Sequence, residues 1–242
     1  MGKVYTKEEA AKQVVTKTTS GLVVIPVDIP LVTLRNTPMR TVLRRAKSAC
    51  IQCSRCTDLC PRYLSGHPLK PHKIMRKLAY SQSVEDVLDD FDVRQAQICS
   101  ECGVCETFAC PMGLYPRQVN SYVKQALAKE KIRYERVGDT WEEREVRAYR
   151  KVPSRRIATR LGVVKYYDYD IDKLVELNPD MVEIPLKQHI GAPSVAMVKE
   201  NDTIQAGQQI GAIPENAMGA NIYCGISGIV TKADTSVTVK KA

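Results

Sequence analysis

Apolar residues recur along this chain with two different periods. Between residues 67 and 130 they fall three and four positions apart, the spacing of helices that pack one face on a core. Pro71 and Pro116 each stand where such a pattern begins, and proline favours the first turn of a helix. From about Met181 the period falls to two, and glycines separate short apolar runs, which is typical of strands. The pattern predicts an α+β multidomain protein whose helical part comes first.

Four helices are predicted in the first half of the chain. A short basic helix runs from Pro38 to Ala49, another begins at Pro71, a third has Ser83 as its cap, and a fourth runs from Pro116 through Lys129. The side chains expected on their buried faces are Ile74, Leu78, Ala79, Val84, Val87, Leu88, Phe91, Val119, Tyr122, Val123, Ala126 and Leu127.

The segments on either side of these helices are read differently. Residues 1–46 are polar except for one apolar run, Leu22 to Pro26, which predicts a short buried strand. We interpret this segment as the remnant of an upstream domain. Residues 131–180 are the most charged part of the chain and predict a solvated helical linker, in which Glu143 and Arg147 pair at i, i+4.

A further helix within this linker is predicted to begin at Pro153 and to end near Gly162. Residues 181–242 then form short strands at regular spacing, which predicts a small β-barrel or sandwich. Cys224 is expected in one of these strands, as a small buried residue rather than a reactive thiol.

Two cysteine runs stand among the predicted helices and contain eight of the nine cysteines. The first reads Cys50-Ile-Gln-Cys53-Ser-Arg-Cys56-Thr-Asp-Leu-Cys60-Pro61, and the second reads Cys99-Ser-Glu-Cys102-Gly-Val-Cys105-Glu-Thr-Phe-Ala-Cys110-Pro111. Each run is followed by a predicted helix, so the chain contains an internal repeat. Three cysteines at two-residue spacing put three sulfurs on one tight loop, and a fourth ligand must come from elsewhere.

This spacing is the bacterial ferredoxin signature, in which the last cysteine of each run binds the other cluster. The sequence therefore predicts two [4Fe–4S] clusters. The first is held by Cys50, Cys53, Cys56 and Cys110, and the second by Cys99, Cys102, Cys105 and Cys60. The second run has four residues before its last cysteine where the signature has three, which lengthens the reach of Cys110.

Two other roles for these cysteines are weaker. Structural zinc usually takes paired C-x2-C half-sites, and a third nearby cysteine crowds a tetrahedral ion. A disulfide framework suits a short secreted chain, and no signal peptide precedes this one. His67 and His72 stand beside prolines at helix starts and are interpreted as structural, because the cysteines already fill both clusters.

Charge narrows the choice of partner. Two oxidised clusters of about −2 each bring the formal charge of +9 to about +5. Arg44, Arg45 and Lys47 before the first run either balance cluster charge or dock an acidic partner. Glutamates interleaved with the basic residues, and few aromatics, make nucleic acid a poor candidate for the partner. The chain has no run of about 18 apolar residues, so no membrane span is predicted. Oxygen-labile clusters and unpaired thiols favour a cytoplasmic location.

The last segment resembles the barrel-sandwich hybrid domain of the RnfC family. The resemblance rests on Ile184-Pro-Leu-Lys-Gln-His-Ile-Gly-Ala-Pro193 and Asn201-Asp-Thr-Ile-Gln-Ala-Gly-Gln-Gln-Ile-Gly211. In RnfC proteins this domain precedes the clusters. Here it follows them, an order similar to that of the PduS-type cobalamin (corrinoid) reductases of bacterial microcompartments, which Val15 to Gly21 and Lys151 to Gly162 also resemble. Thr235 stands where lipoyl and biotinyl carriers have a modified lysine, so no such attachment is expected.

The resemblance implies a domain order and a function. The expected domains are a remnant over 1–46, a helical two-cluster ferredoxin module over 47–130, a linker over 131–180 and an RnfC-like barrel-sandwich hybrid over 181–242. The implied function is electron transfer through two [4Fe–4S] clusters, as the relay part of a flavin- and NADH-dependent cobalamin reductase. An RnfC-like subunit of a membrane complex and a cluster-stapled scaffold remain as alternatives.

The expected cofactors and partners follow from the same resemblance. FMN and NADH are expected on an upstream flavin domain or a separate flavoprotein, because this chain has no G-x-G-x-x-G phosphate loop and is interpreted as a C-terminal portion. Cobalamin is expected as a transient substrate, since no histidine lies in a D-x-H-x-x-G pattern. A corrinoid enzyme and a microcompartment shell protein are the remaining expected partners, with a location inside a bacterial microcompartment.

Overall fold

A computed structural model of the chain describes residues 4–136, 138, 141–170 and 172–241. The chain divides into two compact units. The first contains residues 25–170, and the second contains residues 5–24 and the chain beyond Asp170. Within the described ranges, every helix is too short or too polar to span a membrane.

Helices build the first unit, apart from α1, which lies in the second. The α-helices are Lys7–Ala10 (α1), Pro30–Asn36 (α2), Met39–Ala49 (α3), Arg55–Asp58 (α4), Pro61–Leu64 (α5), Pro71–Tyr80 (α6), Phe91–Arg94 (α7), Pro116–Lys129 (α8) and Ser154–Leu161 (α9). Single 3₁₀ turns cover Glu85–Val87, Gln95–Ile98, Glu145–Tyr149 and Val164–Tyr166, and a π-helical turn covers Cys105–Ala109.

The core of the first unit lies between α3, α6 and α8. The predicted helices at Pro38, Pro71, Pro116 and Pro153 are confirmed, and each has a proline at or next to its first residue. The larger apolar side chains that the three central helices bury fully are Val42, Ile74, Met75, Val119, Val123 and Leu127. Burying an aliphatic side chain stabilises a fold by about 1.5–3 kcal/mol, so these helices are held mainly by this shared core.

Three local predictions were wrong. Leu22 to Pro26 forms no strand, and Leu22 is 81% exposed, because no described strand pairs with this run. Ser83 caps no helix through its side chain. Phe91 lies half exposed, since Asp90 caps α7 by accepting bonds from its first-turn N–H groups and leaves Phe91 on the outer side.

The charged stretch after α8, predicted as a helical linker with a further helix from Pro153, is only partly helical. Its helical parts among the described residues are α9 and two 3₁₀ turns. The expected pair between Glu143 and Arg147 is present at 2.5 Å. The stretch also packs on the helical unit, since the Arg144 amide donates to the Leu64 carbonyl. Gly66, with φ +94°, allows this approach, because a Cβ there would lie 2.3 Å from the Glu142 carbonyl oxygen.

The second unit is a β-structure of two antiparallel sheets. Its strands are Met181–Pro185 (β1), Val195–Ala196 (β2), Thr203–Ile204 (β3), Gln209–Ala212 (β4), Ile222–Tyr223 (β5), Gly228–Ala233 (β6) and Ser236–Lys240 (β7). The order is β1-β7-β6-β3 in one sheet and β2-β4-β5 in the other. Alternate residues point inward, as the period of two predicts, and Val230, Val237 and Val239 are fully buried.

Two further features complete this unit. Residues 5–24 run along it, where the Lys17 amide donates to the Gln188 side-chain oxygen at 3.1 Å. Cys224 follows β5 rather than lying in a strand, and its thiol donates to the Ile226 carbonyl. Its exposed fraction is 2%, which confirms its interpretation as a small buried residue.

Candidate iron–sulfur centre

Four cysteines from both runs line one cavity of about 350 Å³. They are Cys50, Cys53 and Cys56 of the first run and Cys110 of the second. The other side chains of this cavity include His72 and Met75 from α6 and Leu114. We refer to it as the first cavity.

The remaining four cysteines of the runs line a second cavity of about 290 Å³. Cys99, Cys102 and Cys105 come from the second run, and Cys60 comes from the end of the first. Leu69, together with Arg117 and Asn120 from α8, completes much of the lining. The structure thus brings together the same two sets of four that the sequence indicated, with the last cysteine of each run placed in the other cavity.

Both loops use the same backbone to turn three sulfurs to one side. Gln52 and Ser54 have φ of 57° and 60°, and at the equivalent positions Glu101 and Gly103 have φ of 55° and 84°. Left-handed residues reverse the local direction of the chain, which lets sulfurs at two-residue spacing converge. For a residue other than glycine this conformation costs about 1–2 kcal/mol. Gln52, Ser54 and Glu101 therefore adopt it against their intrinsic preference.

A π-helical turn accommodates the extra residue of the second run. The Cys110 amide donates to the Cys105 carbonyl across five residues at 3.1 Å. In the first run the corresponding link is tighter, from the Cys60 amide to the Thr57 carbonyl. The additional residue therefore widens one helical turn, and Cys110 still lines the first cavity.

Hydrogen-bond donors point at several of the cysteine sulfurs. The first cavity has the Gln52 side-chain amide at 3.4 Å from Cys50 Sγ and the Leu114 N–H at 3.3 Å from Cys110 Sγ. In the second cavity, Cys99 Sγ receives the Glu101 N–H at 3.4 Å and the Asn120 side-chain amide at 3.7 Å. Such donors stabilise negative charge on sulfur, the form in which cysteine binds metal.

Burial and mutual repulsion raise the pKa values of the inner thiols. Burial, followed by the charges of Cys110, Cys50 and Cys53, raises the pKa of Cys56 to about 12. Burial also raises the pKa of Cys60 to about 11, although N–H groups of Tyr63 and Arg62 donate to its sulfur and oppose the rise. Without metal these thiols remain protonated at neutral pH, so cationic iron must replace their protons on binding.

Each loop is supported by a different polar contact to the helix that follows it. Thr57, directly after Cys56, has its hydroxyl 2.7 Å from His72 Nδ1. Glu106, directly after Cys105, accepts from Arg117 Nε at 2.6 Å in a pair that is almost fully buried. Burial raises the pKa of Glu106, and the charge of Arg117 opposes that rise.

Periodicity alone hid several residues of the cavity walls. Met75, Arg117 and Asn120 lie within predicted helices, and the sequence predicted no role in a site for any of them. The usable signal was the repeat itself, since His72 and Met75 follow Pro71 by one and four residues, just as Arg117 and Asn120 follow Pro116. His67 lies away from this lining and packs edge-on against Trp141, with ring centroids 3.9 Å apart.

The cysteine geometry suits a polynuclear cluster. Within the ranges that the structure describes, no three His, Cys, Asp or Glu side chains group closely enough to hold a single metal ion. All nine cysteines are described, and none is paired in a disulfide. Four cysteines line each cavity, and a [4Fe–4S] cluster takes four cysteine thiolates.

Comparison with known families assigns a type to two segments of the chain. Residues 49–115 match the 4Fe-4S dicluster domain, and residues 170–242 match the RnfC barrel sandwich hybrid domain. The first match contains all eight cysteines of the two cavities. The second contains every strand of the β-unit.

Several curated proteins resemble the chain over longer or shorter stretches. Cobalamin reductase PduS of Salmonella typhimurium is 40% identical over 228 residues, and that of Citrobacter freundii is 39% identical over 234 residues. Each alignment covers 93% of this chain and 49% of the relative, so the chain spans about half the length of these proteins. One component of the proton-translocating ferredoxin:NAD(+) oxidoreductase complex of Clostridium ljungdahlii is 42% identical over 64 residues, 26% of this chain.

Proposed function

We propose, from its similarity to the PduS cobalamin reductases and to the RnfC barrel sandwich hybrid domain, that the chain relays electrons through two [4Fe–4S] clusters in a cobalamin reductase. The observation that carries the proposal is the convergence of eight cysteines on two cavities. We assign Cys50, Cys53, Cys56 and Cys110 to one cluster, and Cys99, Cys102, Cys105 and Cys60 to the other.

The bound clusters would supply one-electron transfer at a potential that the protein adjusts through hydrogen bonds and burial. The chain's own residues hold the sulfurs, with Cys60 and Cys105 buried and one cysteine of each set, Cys53 and Cys102, exposed. Cys105 begins the π-helical turn, and Cys56 of the other ligand set lies in α4, which packs against that turn. The two ligand sets are therefore neighbours. This proximity supports a relay, since electrons would have a short distance to cross.

The proposal extends to the donor and the acceptor. Electrons come from NADH through FMN, on a flavin domain or a flavoprotein that acts before this chain. The acceptor is a corrinoid, bound transiently as substrate or presented by a corrinoid enzyme. A microcompartment shell protein is the proposed docking partner inside such a compartment. The names of the two PduS relatives support the corrinoid, and the similarity to RnfC supports the link to NADH.

A membrane-complex subunit of RnfC type is the second candidate. The Clostridium ljungdahlii relative favours it, but that alignment covers 26% of this chain against 93% for PduS. A scaffold stapled by inert clusters is the third, and it differs from both in redox behaviour. Clusters that only support a fold resist mild reductants, whereas relay clusters cycle reversibly.

An anaerobic redox cycle tests the proposal. Reconstituted protein is reduced with dithionite, freed of excess reductant and mixed with cob(III)alamin while visible spectra are recorded. We expect the cluster absorbance to return as one electron per reduced cluster converts cob(III)alamin to cob(II)alamin. The variant Cys53→Ala/Cys102→Ala, with one ligand of each cluster removed, controls for corrinoid reduction without clusters.

Two results would contradict it. Clusters that cannot be reduced and reoxidised reversibly would support the scaffold. Reduced clusters that leave the corrinoid unchanged, and are instead oxidised by NAD⁺ with a flavoprotein, would support the RnfC-type subunit.

A further inference from the structure

The internal repeat makes the walls of the two cavities directly comparable. One residue after the helix-starting proline comes His72 in α6 and Arg117 in α8. Four residues after it come Met75 and Asn120. The α6 pair lines the first cavity and the α8 pair lines the second, so each residue has a counterpart facing the other set of sulfurs.

Asn120 is the side chain of these four whose polar atom approaches a cysteine sulfur. Its exposed fraction is 0%, and its Nδ2 lies 3.7 Å from Cys99 Sγ. A thiolate can only accept, so the amide must present its nitrogen to the sulfur. Its Oδ1 is buried without a hydrogen-bond partner, which leaves the contact with Cys99 as the polar interaction that holds the side chain here. The Met75 side chain, equally buried, has no N–H group to donate to a sulfur.

Other hydrogen bonds reach both sets of sulfurs. The first set receives the Gln52 side chain and the Leu114 amide, and the second set receives the Glu101 amide in addition to Asn120. Among these donors, Asn120 is the one that belongs to a cavity-wall helix and has a counterpart, Met75, at the equivalent position of the other wall.

Arg117, the other α8 residue of this wall, is paired with Glu106 at 2.6 Å. Asn120 is therefore the uncharged α8 side chain that donates directly to a sulfur of the second cavity.

A hydrogen bond to a cluster thiolate stabilises the reduced state more, because that state carries one more negative charge. We propose that Asn120 raises the reduction potential of the cluster bound by Cys99, Cys102, Cys105 and Cys60. Asn120 is a positioning residue in this scheme and binds no iron. The inference rests on the proposed function, since it requires a cluster in each cavity.

Potentiometric titration followed by electron paramagnetic resonance tests this inference one cluster at a time. The Cys53→Ala background leaves the second cluster to be measured, and the Cys102→Ala background leaves the first. In the Cys53→Ala background, Asn120→Leu should lower the reduction equilibrium constant about tenfold, which corresponds to about 59 mV for a one-electron couple.

Two variants complete the experiment. Met75→Leu, the same type of change at the equivalent position, should leave the first potential unchanged in the Cys102→Ala background. Asn120→Ser, whose hydroxyl is too short to reach Cys99, should repeat the shift of Asn120→Leu with less disturbance of packing.

The possible failures are distinguishable. If either background holds no four-iron cluster by iron and sulfide analysis, the ligand sets of the proposed function fail. If the clusters are present and neither Asn120 variant lowers the second potential, the role of Asn120 is wrong. If both Asn120 variants lose iron, Asn120 is a structural residue, and the inference is overturned in the same way.

Discussion

The two cysteine loops share a backbone and differ in their support. Each has left-handed residues at the same two positions between its first three cysteines. The first loop is tied to α6 by a neutral contact, Thr57 to His72, and the second to α8 by a buried ion pair, Glu106 with Arg117. The left-handed residues that turn three sulfurs to one side are therefore common to both loops. The contacts that anchor each loop to a helix differ.

The buried ion pair should give the largest effect when broken. Arg117→Leu leaves Glu106 buried without its partner, which costs about 3–5 kcal/mol for a pair of this type. The measurement is anaerobic guanidinium unfolding of reconstituted protein followed by circular dichroism.

The double variant Glu106→Leu/Arg117→Leu is the matched control. It should recover much of the loss, because Glu106 is then no longer left buried without Arg117. A single variant as stable as the wild type would show that the pair does not anchor the second loop.

The neutral contact of the first loop should be worth less. Thr57→Val keeps the shape of the side chain but leaves His72 Nδ1 and the His72 N–H without their partner, at a cost of about 1–3 kcal/mol. The same unfolding experiment measures it. A loss as large as that of Arg117→Leu would mean that the two supports are equivalent.

The shared backbone can be tested at one position of each loop. Gly103→Ala should destabilise the second loop by about 1–2 kcal/mol, because alanine resists a φ of 84°. Ser54→Gly should change stability much less, since the backbone strain it relieves is offset by the added freedom of glycine in the unfolded chain. Equal effects of the two substitutions on the unfolding midpoint would contradict a common left-handed requirement.

The smallest effect is expected from pH in the cluster-free protein. The folded pKa values of Cys60 and Cys56, about 11 and about 12, exceed the ordinary value of 9.0. The unfolded chain therefore loses these protons first, so stability is complete below pH 9 and falls as pH rises toward 11. At pH 9 the loss is under about 1 kcal/mol per thiol.

Melting temperatures measured between pH 7 and 9 would show the start of this decline. Reconstituted protein should lack it, because its ligand sulfurs are already deprotonated by iron. A cluster-free protein whose stability rises over this range would contradict the raised pKa values.

Sequence reasoning reached the elements whose signals are local. The proline starts and apolar periods of α6 and α8 predicted both helices, and cysteine spacing indicated which sulfurs meet. It missed features that depend on distant partners. The apolar run at Leu22 found no strand to pair with, and Phe91 was turned outward by the cap at Asp90.

The cavity walls were missed for the same physical reason. Asn120 occupies a fully buried helix position, where periodicity favours an apolar residue, and only the fold reveals that Cys99 lies beside it. The extra residue of the second run indicated a longer reach for Cys110. That this residue is accommodated by a π-helical turn is seen only in the structure.

The exchange of the fourth cysteine between the runs is the central claim, and iron counting by anaerobic native mass spectrometry tests it most directly. If Cys60 and Cys102 bind the same cluster, Cys60→Ala/Cys102→Ala should retain one four-iron cluster, because the first cavity keeps all its ligands. Cys60→Ala/Cys53→Ala should retain none, because each cavity has lost a sulfur. The reverse pattern, with a cluster kept in the second variant and none in the first, would show that each run binds its own cluster and would contradict the account.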